Sequence, residues 1–64
     1  MALTEKELTA IGDQLAYEKL LVTKLKAYSL QCSDPELRQQ CETIAGKHQD
    51  HYQILLGFLK EKEG

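Results

Sequence analysis

Apolar residues recur at steps of three and four along most of the chain, and nowhere do they alternate with polar ones as in a half-buried strand. In the first half the repeating columns hold Leu8, Ile11, Leu15, Glu18, Val22 and Leu25; in the second they hold Leu37, Cys41, Ile44, His48, His51, Leu55 and Phe58. Between them lies Cys32-Ser33-Asp34-Pro35-Glu36, which carries the only proline. Proline disfavours helical geometry at the residue before it and suits the first position of a new helix, so one helix ends here and another begins. Either Asp34 caps the second helix, or Ser33 pairs with Glu36 in a capping box one residue earlier. Thr4, followed by Glu5 and Glu7, reads as the start of the first helix.

The pattern therefore predicts an all-α chain in one domain over 1–64, with a helix over about 4–31, a turn at about 32–34 and a helix over about 35–62. Helices of this length, roughly 40 Å at 1.5 Å per residue, joined by so short a turn form an antiparallel hairpin. Leu21 and Tyr28 on the first helix, and Ala45, Tyr52 and Leu59 on the second, widen the apolar stripe beyond what a single seam needs. A stripe of that breadth suits a four-helix bundle, which two hairpins form by homodimerisation. At 64 residues the chain is also near the lower limit for an independent core. Mid-helix Gly12, Gly46 and Gly57, each about 1 kcal/mol worse than Ala in a helix, weaken a lone hairpin further.

The repeating columns contain three ionisable residues: Glu18, His48 and His51. In a hairpin turning at residue 32 or 33, Glu18 stands opposite position 47 or so, level with His48. His48 and His51 are neighbours on one helix face. Apolar residues lie on either side: Ile11 and Leu15 towards one end, Val22 and Leu25 towards the other. Buried ionisable groups are costly unless paired or bound to a metal. Imidazole with carboxylate suits a transition metal, Zn or Fe among them, and not calcium. A two-fold dimer would gather two such glutamates and four histidines. The same residues could instead form a polar layer that only sets register, with Glu18 accepting hydrogen bonds from the histidines. A shifted register would turn one histidine to solvent.

Charge and cysteine content narrow the partners. Ten acidic and eight basic residues give a net charge of -2, with no basic patch for nucleic acid. No apolar run is long enough to cross a bilayer, and the start, Met1 to Glu5, lacks the basic and apolar regions of a secretory signal. Cys32 and Cys41 have neither zinc-finger nor redox spacing, and they read as reduced thiols of a cytoplasmic protein, Cys41 as a small core residue. There is no Gly-rich phosphate loop, nucleophile elbow or Ser/His/Asp set, so no catalytic residue is assigned. Tyr17 and Leu20 lie off the columns and offer a second contact surface. The terminal Lys60-Glu61-Lys62-Glu63-Gly64 reads as a fraying helix end.

These motifs resemble those of ferritin-like and rubrerythrin-like proteins. There, one helix of each pair carries a ligand Glu with a Tyr downstream, and the second carries Glu-x-x-His. Glu18 and Tyr28 match the first pattern. His51 matches the histidine ligand, and His48 stands where the glutamate is expected. The chain is also similar to the spore coat protein F family through Glu18-Lys19, Cys32, Pro35-Glu36-Leu37-Arg38 and His48-Gln49. The resemblance covers nearly the whole chain and implies half of a ferritin-like bundle, with a metal at Glu18, His48 and His51. The His48 replacement removes bridging carboxylates and implies a mononuclear or weakly coupled site, nearer to zinc binding than to ferroxidase chemistry. The coat F likeness implies, as the alternative, a structural module of an assembly with other protein partners, placed in a spore coat.

Overall fold

The computed structural model describes residues 3–63. Met1, Ala2 and Gly64, to which the readings of the chain's start and fraying end extend, lie outside the described residues. Helix α1 spans Glu5–Gln31 and helix α2 spans Pro35–Glu63, and the two pack against each other as a hairpin 48 × 16 × 11 Å in extent. No helix among the described residues is long and apolar enough to cross a membrane.

Local side-chain chemistry sets the helix ends. At the start of α1 the Thr4 hydroxyl accepts from the Glu7 backbone N–H at 3.1 Å, and the Glu7 carboxylate accepts from the Thr4 N–H at 2.9 Å. This capping box satisfies two otherwise orphaned donors. At the start of α2, Asp34 rather than Ser33 is the cap. Its Oδ1 accepts from the N–H groups of Glu36 and Leu37, at 2.9 and 3.2 Å. Arg38 reaches back across the turn and donates to the Cys32 carbonyl, from Nη2 at 2.7 Å and Nε at 3.3 Å. The carbonyl of Cys32, the residue that caps the end of α1, thus gains a charged donor from the first turn of α2.

The most deeply buried apolar positions of the seam include two small residues. Ala45 is 1% exposed, and Cys41 and Val22 are buried beside it. Around them Ile11, Leu15, Leu21 and Leu25 of α1, and Tyr52, Leu55, Leu56 and Leu59 of α2, are half-buried. This corrects the column assignment. Leu8, Leu37, Ile44 and Phe58, expected in the seam, are exposed, while Ala45, Tyr52 and Leu59, expected at its edge, form it. With Cys41 and Ala45 turned inward, Leu37 and Ile44 of the same stripe are turned outward.

The result is a thin molecule. It exposes 5072 Å², about 900 Å² more than the roughly 4,200 Å² expected of a folded monomer of 7.3 kDa. Its radius of gyration, 14.7 Å, exceeds the roughly 11 Å of a compact domain of this length.

Candidate metal centre

Glu18 is the central residue of α1, and His48 and His51 flank the centre of α2. The hairpin brings all three together: one ligand atom from each lies within 4.8 Å of the others. His48 Nδ1 and Glu18 Oε2 are 2.6 Å apart, and His51 Nδ1 stands 3.8 Å from Glu18 Oε1. An ionised carboxylate only accepts, so His48 carries the proton on Nδ1 and donates it to Glu18. The two imidazoles meet edge to face, with ring centres 5.7 Å apart.

The three side chains differ in exposure. Glu18 is buried at 5% exposure and His48 is partly covered, whereas 58% of the His51 side chain is open. The register is the one the spacing predicts, with Glu18 level with His48, and His51 is largely open yet keeps its Nδ1 near the carboxylate.

Gln14, one helical turn before Glu18, donates from Nε2 to Glu18 Oε1 at 3.0 Å. Sequence reasoning missed this group, although its i, i+4 spacing to Glu18 was available as a signal. Burial disfavours the charged carboxyl of Glu18. Hydrogen bonds from His48 and Gln14, together with the charge of both imidazoles, outweigh that effect and hold its pKa below the ordinary value. Glu18 is an anion fixed at both oxygens.

The donor set fits a transition metal. Zinc holds nitrogen and oxygen ligands at 2.0–2.2 Å, so tetrahedral neighbours stand roughly 3.4 Å apart. The three ligand atoms lie within 4.8 Å of one another, and a metal taking His48 Nδ1 would have to displace the proton that now bonds to Glu18 Oε2. Two imidazoles and one carboxylate on a half-open face leave further coordination positions to water or to another chain.

Cys41 is buried and Cys32 half-buried, both as free thiols outside this group. Tyr28, matched to the downstream tyrosine of the ferritin-like pattern, is 52% exposed.

The chain is similar to an uncharacterized protein of Bacillus subtilis (strain 168), YuzM. The two are 29% identical over 58 residues, which cover 91% of this chain and 72% of that protein. No protein-family model matches the chain, and no solved structure gives a significant match. The resemblance to ferritin-like and spore coat F proteins rests on the motifs quoted above.

Proposed function

We propose that this protein is a small metal-binding helical hairpin in which Glu18, His48 and His51 hold a transition metal, zinc or iron. Two copies pair as a four-helix bundle of ferritin-like design. The observation that carries the reading is the convergence of the three donor atoms within 4.8 Å at mid-height of both helices. Bound there, a metal would supply a Lewis acid with open positions. The chain's own residues orient it: Gln14 fixes one carboxylate oxygen of Glu18, and the other faces His48. Pairing of two copies is supported by the extra exposed area of the hairpin.

A second reading has its own support. Among the described residues no buried side-chain polar atom lacks a hydrogen-bond partner, so the Glu18 layer is satisfied without a metal. The hairpin would then be a structural module, of spore-coat type, whose polar layer sets register.

Elemental analysis of protein purified without chelator or histidine tag tests the choice, together with the double variant His48→Leu/His51→Leu. A metal site predicts one or two equivalents of metal per dimer. It also predicts that the variant loses both the metal and the stability a chelator removes. A register layer predicts metal-free protein that fails to take up zinc or iron, and a variant of equal or higher stability.

A further inference from the structure

Leu37, Ile44, His51 and Phe58 recur every seven residues on α2, and all four are exposed in the hairpin. They form one open column, and the site's most exposed ligand is part of it. The chain's excess surface of about 900 Å² matches the roughly 800 Å² that each partner buries in a standard interface. The occupant with the right length and apolar pattern is a second copy.

Position along the helices adds a constraint. The cluster sits at the centre of α1 and of α2. Any two-fold that overlaps the hairpins along their full length, with its axis parallel or perpendicular to the helices, therefore sets one cluster level with the other. We infer that the Leu37/Ile44/His51/Phe58 column is the dimer face and that metal binding and dimerisation are thermodynamically linked through it. His51 is the side chain that belongs to both.

This rests on the metal-site reading. The second copy covers the open side of the cluster, so an ion held by Glu18, His48 and His51 is bound more tightly in the dimer than in the single chain. By reciprocity the ion tightens the dimer by the same factor.

The test uses the full chain, with zinc chloride or EDTA as the only variable. Sedimentation equilibrium over a dilution series gives the dimer constant. Thermal midpoints at several chain concentrations supply it where the separated hairpin does not stay folded. Equilibrium dialysis gives zinc affinity in the same samples. Zinc is expected to lower the dimer dissociation constant roughly tenfold or more, within the usual range of coupling. Zinc affinity should rise with chain concentration. Ile44→Glu and Phe58→Glu should weaken pairing and zinc affinity together, and His51→Ala should pair with one and the same constant whether or not zinc is added.

Zinc bound with an unchanged dimer constant overturns the linkage and leaves the site standing. Absence of zinc binding at any concentration overturns the site reading itself, and the linkage with it. A chain that stays monomeric with zinc bound, or that pairs undisturbed in both face variants, assigns the open column to some other occupant and overturns the proposal.

Discussion

The inner and outer sides of the first half of α2 differ in a way opposite to a self-contained domain. Up to His48 the residues covered by α1 are Cys41, Ala45 and His48, small or polar groups, while Leu37 and Ile44, large and apolar, are exposed; beyond it Tyr52, Leu55, Leu56 and Leu59 are half-buried in the seam and Phe58 is exposed. A monomer built to stand alone would place the bulk inside, where each buried leucine or phenylalanine contributes about 1.5–3 kcal/mol. Here the first half of α2 covers its small residues and leaves Leu37 and Ile44 on the edge. The difference teaches that the apolar stripe is wider than the hairpin's own seam covers, and the uncovered part is what the proposed pairing would use.

The largest effect that can break this comparison comes from two adjacent residues, one on each side. Ala45→Leu adds three carbons to a position 1% exposed and should cost about 1–3 kcal/mol at every chain concentration. Ile44→Ala removes bulk from a side chain 42% exposed. Its cost should stay within about 0.5 kcal/mol in the dilute hairpin and grow as concentration favours pairing. Thermal melts at several concentrations read both. An Ile44→Ala penalty independent of concentration would mean that the outer column supports the hairpin itself.

A smaller effect tests the remaining face. A methyl group added at Gly46 meets nothing within 4 Å. Gly46→Ala should therefore stabilise the helix by about 1 kcal/mol, raising the thermal midpoint by roughly 4–8 °C. A loss of stability, or of pairing, would show that a neighbour lies against this side and not against the Ile44 column.

These contrasts also show what the sequence could tell. The hairpin was legible because Pro35 and Asp34 interrupt two long stretches of step-three and step-four apolar spacing. The height of the cluster was legible because a short turn ties Glu18 to the level of His48. Rotation about each helix axis was not. A stripe more than one column wide is compatible with several seams, and following one set of three-and-four steps put Ile44 and Phe58 where Ala45 and Leu59 lie. Hydrophobic spacing gives little weight to a residue as small as Ala45, which is nevertheless 1% exposed. The Gln14 contact and the Arg38 bond across the turn depend on rotamers, which spacing alone does not specify.

The smallest effect separates the inner layer from a helix end by pH. Glu18 is held below the ordinary carboxyl value of 4.5 because the His48 and Gln14 hydrogen bonds and the imidazole charges outweigh its burial. Glu7 is held below it by the Thr4 backbone N–H and then the Thr4 hydroxyl. A group whose pKa is lowered on folding contributes stability that is fully present above the unfolded value, here near 4.5. That contribution is lost as pH falls through the lower folded value. With chelator present, urea melts between about pH 7 and pH 3 should show stability falling on the acid side, since unfolding then takes up protons. Glu7→Gln should flatten that limb whatever the chain concentration, because the capping box lies within α1 alone. Glu18→Gln should flatten it too, and by an amount that changes with concentration if a second copy covers the His51 side of the layer. Equal effects at low and high concentration would confine Glu18 to the hairpin's own seam, and the open column would then have no hold on the inner layer.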